Sequence, residues 1–218
     1  MSTQGFIFDL DGVIVDTAKY HYLAWKNLAN NLGFDFTEEQ NELFKGVSRV
    51  ESLKLLLEIG DKTISQEEFN QLLISKNEEY LEYIEKMDAS EILPDVPKVL
   101  MHLKDEKAPI ALGSASKNAT PILEKVQLLS YFDTIVDGND VTKAKPDPEV
   151  FLLGAQQLNI PAEQCIVFED SIAGIQAANK ANMISIGIGD AKVLHEADHV
   201  FDDFTKISIQ FLNKLIAG

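Results

Sequence analysis

Short apolar runs alternate with amphipathic stretches through most of this chain, and this alternation limits its possible folds more than any other feature. The runs occupy residues 6–8, 110–112, 135–136, 166–168 and 184–186. Helical patterns cover residues 97–107, 119–126, 148–158 and 174–181. Strand–helix alternation of this kind predicts a parallel sheet with helices on both faces. Ligands in such folds bind beyond the carboxyl ends of the strands.

The stretch from residue 18 to about residue 90 breaks the alternation. It is rich in Leu, Glu, Lys and Asn at helical spacing and has no convincing strand. One helix is predicted to begin near Leu23 and to end at Gly33, and a second to include Phe69 and Tyr80. We therefore predict an α/β protein with a Rossmann-like core domain, residues 1–16 and 91–218, and a helical cap domain, residues 17–90, inserted after the first strand.

Composition excludes several classes of function. A net charge of −16 argues against nonspecific binding of nucleic acid or anionic membranes. The apolar runs are too short to span a bilayer, and no charged-then-apolar leader opens the sequence, so we expect a cytoplasmic protein. The single cysteine, Cys165, rules out an intramolecular disulfide, and its apolar neighbours predict a buried structural thiol.

Paired carboxylates follow the first predicted strand. Asp9 and Asp11 are two residues apart, so in an extended segment they point to the same side. Two like charges this close require a cation or a shared proton. Glu169 and Asp170 follow the fourth apolar run and would add the oxygen ligands that Mg²⁺ prefers. Taken alone, a single Asp could form a turn or cap a helix, and residues 169–170 could simply cap the helix that follows.

Small polar residues follow the second predicted strand, at Ser114, Ala115, Ser116, Lys117 and Asn118. Small side chains let the backbone approach a phosphate, and the next helix would point its N–H groups at the anion. Such residues also cap helices for structural reasons alone, so the pattern by itself is weak. Lys145 lies in a loop before another predicted helix and, taken alone, would read as a solvated surface lysine.

In this order the four segments resemble the motifs of the haloacid dehalogenase superfamily. The resemblance covers the whole core and implies that Asp9 is a nucleophile that becomes phosphorylated and that Asp11 is the general acid–base. It implies that Mg²⁺ is held by Asp9, by the backbone carbonyl of Asp11 and by Asp170, with Glu169 nearby. It also implies that Ser114 and Lys145 bind the transferring phosphoryl group.

The predicted cap resembles that of the superfamily's hexose-phosphate mutases. Its segment 43–52 contains the only arginine of the chain, Arg49, and a two-pronged guanidinium suits a phosphate. The resemblance implies that Thr17, His21 and Lys76 align Asp11 and close the cap. It implies a substrate site made of the core segment 114–118 and of the cap residues Lys45, Gly46, Val47, Arg49 and Ser52, with Arg49, Ser116, Lys117 and Asn118 gripping the phosphate that is not transferred.

These expectations leave alternatives open. The main one is a sugar-phosphate phosphatase on the same scaffold, and a second is a catalytically silent protein that binds sugar phosphates. The expected partner is a small sugar phosphate, and a moving cap favours a monomer. His21 could be a half-buried structural histidine, and Trp25 is expected in the cap core. The sequence does not identify the hexose or explain the segment 137–140.

Overall fold

The computed structural model describes residues 3–218 and contains the predicted parallel sheet. The strands are β1 (Gly5–Phe8), β2 (Ile110–Gly113), β3 (Thr134–Val136), β4 (Cys165–Glu169), β5 (Ile184–Ile188) and β6 (His199–Phe201). All of them run parallel, in the order β3-β2-β1-β4-β5-β6. The sixth strand was not predicted, because it is a three-residue edge strand whose two apolar residues lie among acidic residues and histidine.

The four predicted core helices begin and end within two residues of the predicted positions, and a fifth, at residues 209–217, was not predicted. In the insert, however, the first helix begins at Ala18, five residues before the predicted start, because its first turn has none of the Leu, Ile, Val or Phe side chains that mark an apolar period. The helices are α1 (Ala18–Asn31), α2 (Glu38–Asn41), α3 (Arg49–Ile59), α4 (Gln66–Glu85), α5 (Val96–Asp105), α6 (Ala119–Lys125), α7 (Glu149–Leu158), α8 (Ile172–Lys180) and α9 (Ile209–Ala217).

The two faces of the sheet bury different sets of helices. Successive side chains of a strand point to opposite faces. Accordingly, Phe6 and Phe8 pack with α5, α6 and α9, whereas Ile7 packs with α7 and α8. Burying a phenyl ring of this kind contributes roughly 1.5–3 kcal/mol to stability. The covered sheet therefore gives β1 and β4 a rigid frame, and their carboxyl ends carry the predicted carboxylates.

The inserted helices have an apolar cluster of their own. Trp25 and Leu28 of α1 pack with Leu53 and Leu56 of α3 around Phe36. Trp25 is 2% exposed, which confirms its expected place in this cluster. The residues that pack here come from segment 22–73. Tyr80, Ile84 and Met87 pack instead with the core cluster, so a cap domain of residues 17–90 stays a prediction.

The chain passes between the core and the inserted helices at two adjacent segments. The N–H group of Leu93 donates to the carbonyl of Ile14 at 3.0 Å, and that of Asp16 donates to Glu91 at 2.8 Å. The outgoing and returning segments are therefore tied together beside the sheet. Within residues 3–218, no helix combines the length and the apolar character needed to cross a membrane. Cys165 is fully buried, as predicted.

Candidate active site

Asp9 lies where β1 ends, at the carboxyl edge of the sheet. Its N–H group donates to the carbonyl of Phe168 in β4 at 3.0 Å, and the residue is only 5% exposed. Gly12 then turns the chain with φ +78°, and a Cβ atom there would overlap the carboxylate of Asp170. Only glycine combines this left-handed backbone with so close an approach, so the loop after β1 is held directly against the end of β4.

Two buried carboxylates and one partly buried carboxylate converge at this edge. Candidate ligand oxygens of Asp9, Glu169 and Asp170 all lie within 4.8 Å of one another. Burial raises the pKa of Asp9 to about 7, and the carboxylates of Glu169 and Asp11 push it the same way, whereas Lys145 opposes them. Burial, and after it the Glu169 charge, also holds the pKa of Asp170 well above its usual range. These shifts are the signature of a site that lacks positive charge.

Lys145 supplies part of that charge. Its Nζ atom lies 2.7 Å from Oδ1 of Asp9 and 2.5 Å from Oε1 of Glu169, and its ammonium group is fully buried. Burial alone would lower the pKa of Lys145, but the two carboxylates raise it above its ordinary value. The lysine that the sequence alone would place on the surface is therefore a buried cation in contact with the predicted nucleophile.

The donor set fits a magnesium ion. Hard divalent cations prefer oxygen ligands, and one bound here would counter the burial and the carboxylate repulsion that raise the pKa values of Asp9 and Asp170. Glu169 is already occupied, because it accepts from Lys145 and from the N–H and hydroxyl groups of Ser171. Asp9 and Asp170 are the freer ligands. The carboxylate of Asp11 is not part of this cluster.

Asp11 belongs instead to a chain of hydrogen-bonding groups that leads into the inserted helices. Thr17, fully buried, donates its hydroxyl hydrogen bond to Oδ1 of Asp11. Nε2 of His21 lies 3.8 Å from the same oxygen, and Nδ1 of His21 lies 2.8 Å from Nζ of Lys76. Burial raises the pKa of Asp11, with the Thr17 hydrogen bond opposing. A carboxyl with a raised pKa is suited to carry a proton that it later donates.

Residues 114–118, which we call the serine loop, follow β2. Ser114 is fully buried, and its hydroxyl oxygen accepts the N–H group of Ser116 at 3.0 Å. The Ser116 hydroxyl oxygen accepts the N–H group of Asn118 at 3.2 Å, and Lys117 is exposed. These two bonds hold the loop in a tight curve at the mouth of the site.

The cap loop, residues 43–52, faces the serine loop across a cavity of about 440 Å³. Lys45 reaches from it toward Asp170, with 3.7 Å between Nζ and Oδ2. The Arg49 side chain is partly buried at the start of α3 and pairs with no carboxylate in residues 3–218. A guanidinium group without a carboxylate partner, beside a cavity, has the charge and the geometry that suit an anion.

The structure brings nearly all the predicted site residues to this one cavity. Thr17, Ser114 and Glu169 lie behind the wall, in contact with residues that line it. The predicted residues on the wall itself are Asp9, Asp11, His21, Lys45, Gly46, Val47, Arg49, Ser52, Lys76, Ala115, Ser116, Lys117, Asn118, Lys145 and Asp170.

Sequence reasoning missed several residues of this region. Asn41 and Phe44 line the cavity from the cap side, and residues 141–144 line it from the core side. Tyr80 stacks on His21, with 4.1 Å between ring centroids. It follows Lys76 by one helical turn, and that i, i+4 spacing is the signal that could have placed it here. Trp25, a core residue, also borders the cavity.

The fold and the site together define a phosphoryl-transfer scaffold of a known class. Residues 6–188 match the haloacid dehalogenase-like hydrolases, and the chain belongs to that family. The family generally uses Mg²⁺, in keeping with the acidic cluster. The superfamily resemblance stated from the sequence is therefore confirmed.

Relatives within the family divide between two activities. The chain is 38% identical to the β-phosphoglucomutase of Bacillus subtilis (strain 168), over 97% of this chain and 94% of that protein. It is 31% identical to a phosphorylated carbohydrates phosphatase of Thermotoga maritima, over 90% and 92%. The crystal structure of β-phosphoglucomutase from Clostridium difficile superimposes with a TM-score of 0.93 and 40% identity, covering 99% of this chain and 97% of that one.

Proposed function

We propose that this protein is a β-phosphoglucomutase, which interconverts β-D-glucose 1-phosphate and glucose 6-phosphate through β-glucose 1,6-bisphosphate. One observation carries the proposal: a single cavity has two separate sets of groups suited to phosphate. Asp9 and Lys145 line its core side, and the unpaired Arg49 lies on its cap side with the serine loop opposite. A mutase must hold both phosphates of its bisphosphate intermediate at once.

In the first half-reaction, the phosphoryl group moves from phospho-Asp9 to the 6-hydroxyl of β-glucose 1-phosphate. Asp11 takes the hydroxyl proton as the new P–O bond forms and the bond to Asp9 breaks. The Thr17 hydrogen bond holds the Asp11 carboxylate in place. Lys145 contacts Asp9 and stabilises charge on the oxygens in transfer. Mg²⁺ held by Asp9 and Asp170 would add to that neutralisation.

In the second half-reaction, the bisphosphate has turned end for end. The Asp9 carboxylate attacks the phosphorus of the 1-phosphate, and Asp11 returns its proton to the leaving 1-oxygen. Glucose 6-phosphate leaves, and phospho-Asp9 is regenerated. In each half-reaction, the phosphate that is not transferred would lie against Arg49, Ser116, Lys117 and Asn118. Contact with the cap then orients the sugar, and the closed cap excludes water as a competing acceptor.

A sugar-phosphate phosphatase is the second candidate, supported by the similarity to the Thermotoga maritima phosphatase. It would use the same Asp9 and Asp11, with water as the acceptor in the second step. The two candidates differ in how much they require of the cap. A phosphatase needs only one phosphate site, so it gives the unpaired Arg49 no necessary role.

Product analysis tests the proposal. The protein is incubated with β-glucose 1-phosphate, Mg²⁺ and a catalytic amount of the bisphosphate, and glucose 6-phosphate and inorganic phosphate are measured together. A mutase yields glucose 6-phosphate with little inorganic phosphate. Stoichiometric release of inorganic phosphate and glucose would replace the proposal with the phosphatase.

A further inference from the structure

Residues 137–140, which we call the acidic turn, follow β3 and contact the serine loop through its backbone. The N–H group of Gly138 donates to the carbonyl of Ser116 at 3.1 Å. The side-chain amide of Asn139 donates to the carbonyl of Lys117 at 3.1 Å. Two neighbouring residues of the turn thus hold two neighbouring carbonyls of the loop.

The acidic turn is itself fixed by its own side chains. Asp137 accepts the N–H group of Asn139 at 2.7 Å, and Asp140 accepts the N–H group of Asp137 at 2.9 Å. Asp137 is only 8% exposed. Asp and Asn side chains commonly close turns in this way. The carboxylate oxygens of Asp137 and Asp140 are used in hydrogen bonds within the turn, so these two residues hold the turn rigid.

Because Gly138 has no side chain, the acidic turn lies directly against the serine loop. A Cβ atom at Gly138 would overlap the carbonyl oxygen of Ala115 and would lie 3.0 Å from Cγ of Lys117. The backbone of Gly138 is outside the left-handed region, so an alanine there would suffer no backbone strain. Close approach to the loop is therefore the structural reason for a glycine at this position.

Ser114 is anchored differently from the rest of the serine loop. Its N–H group donates to the carbonyl of Val136 at 3.0 Å, which continues the pairing of β2 with β3. A shift of the acidic turn against Ala115 would thus move the outer residues of the loop more than Ser114.

We propose that Gly138 and Asn139 are positioning residues for the second-phosphate site. They hold the carbonyls of Ser116 and Lys117, and through them they set where the serine loop meets the phosphate that is not transferred. This proposal rests on the proposed function, which places that phosphate at the serine loop. It assigns a role to residues 137–140, which the sequence alone left unexplained and which the chemistry at Asp9 does not use.

The test compares Gly138→Ala with a matched control, Gly154→Ala. A Cβ atom at Gly154, in α7, meets only ordinary contacts of 3.4 Å or more. Two activities are measured on each variant: the reaction of β-glucose 1-phosphate, and the hydrolysis of acetyl phosphate, which has no second phosphate. We expect Gly138→Ala to raise KM for the hexose phosphate and to lower the ratio of the two kcat/KM values by about tenfold or more, because small misplacements of binding groups are costly. Gly154→Ala should leave the ratio within about twofold of wild type.

A second variant, Asn139→Asp, removes the donor to Lys117 without adding bulk. It should lower the same ratio to a smaller extent, and it decides the matter if Gly138→Ala does not fold. An unchanged ratio in a folded Gly138→Ala, or equal losses of both activities, would overturn the proposal. Arg49→Ala is measured in parallel. If Arg49→Ala lowers the ratio and the turn variants do not, the positioning role alone is wrong; if Arg49→Ala does not lower it, the proposed function is wrong.

Discussion

The Nζ atom of Lys76 lies 2.8 Å from Nδ1 of His21. Lys76 is buried, with 2% of its surface exposed, whereas the His21 side chain keeps 32% of its surface accessible. The Lys76 ammonium position faces the rings of Trp25 and Tyr80 at 4.7 and 4.8 Å. When Lys76 is protonated it donates to Nδ1, and a neutral His21 then carries its ring proton on Nε2, the nitrogen nearer Asp11. A protonated Lys76 thereby sets which ring nitrogen of His21 carries the proton beside Asp11, the predicted general acid–base.

This pair makes stability depend on pH. Burial, and after it the Arg49 charge, lowers the pKa of Lys76 to about 7. Between that value and the ordinary lysine pKa, the unfolded state binds the extra proton, so stability rises with pH. We predict that the free energy of unfolding gains up to about 1.4 kcal/mol per pH unit over part of this range, and that Lys76→Met removes the gain. Urea unfolding from pH 6.5 to 10 measures it. Lys62→Met, at an exposed lysine, is the control; parallel pH curves for wild type and Lys76→Met would contradict the prediction.

Asp9→Asn should abolish the phosphoenzyme. An amide is neither a nucleophile toward phosphorus nor a good magnesium ligand, so we predict that turnover falls by at least about 100-fold. Intact-protein mass spectrometry after a phosphoryl donor should show one added phosphoryl group on wild type and none on the variant. Asp105→Asn, at an exposed carboxylate, should still be phosphorylated. Activity of Asp9→Asn within about tenfold of wild type, 1.4 kcal/mol in the barrier, would refute the nucleophile assignment.

Asp11→Asn separates binding from proton transfer. Its carboxylate lies outside the acidic cluster, so the variant should still bind Mg²⁺ and sugar phosphate. It cannot protonate the leaving oxygen, so we predict a loss in kcat on the order of 10²-fold or more. Titration calorimetry gives the binding constants, and steady-state kinetics gives the rate. A variant that binds and turns over at near-normal rates would show that another group is the acid.

The folded core follows from the sequence because its elements have strong local signals. The apolar run at Phe6–Phe8 and the carboxylates just after it locate β1 and the site at once. The edge strand His199–Phe201 has no such signal, since it is short and half-exposed. The first turn of α1, which begins at Ala18, was likewise not predicted from the sequence, because its side chains show no apolar period.

The site was predictable where a residue type alone implies its chemistry. The spacing of Asp9 and Asp11 indicates a cation, but no spacing indicates that Lys145 is fully buried between Asp9 and Glu169. That burial arises from the tertiary packing of a loop 136 residues away in the chain. Tyr80 was overlooked as a site residue and the acidic turn was left unexplained for the same reason, because their contacts join segments that are distant in sequence.

Tyr80 should be a site where removing a hydroxyl stabilises the protein. Its hydroxyl is the one buried side-chain group in residues 3–218 without a hydrogen-bond partner. Burial raises the pKa of Tyr80 well above the usual range. The hydroxyls of Thr17 and Ser116 lie close enough to oppose that rise, but neither has hydrogen-bond geometry to the Tyr80 hydroxyl. We predict that Tyr80→Phe raises the free energy of unfolding by about 1–3 kcal/mol. Tyr83→Phe, which loses a 3.3 Å bond to Glu79, should not. Urea unfolding decides; a destabilised Tyr80→Phe would mean that the hydroxyl is paired.

The most direct test of the mutase is the ratio of glucose 6-phosphate formed to inorganic phosphate released, measured on wild type and Arg49→Ala from β-glucose 1-phosphate. Removing the Arg49 guanidinium group removes a charge-assisted contact with the second phosphate, worth roughly 1.5–3 kcal/mol. Part of that loss should appear in the rate, because the second phosphate orients the sugar. We predict a wild-type ratio far above one and a strong fall in kcat/KM for glucose 6-phosphate formation in the variant. A wild-type ratio below one, or mutase turnover that survives Arg49→Ala intact, would contradict the account.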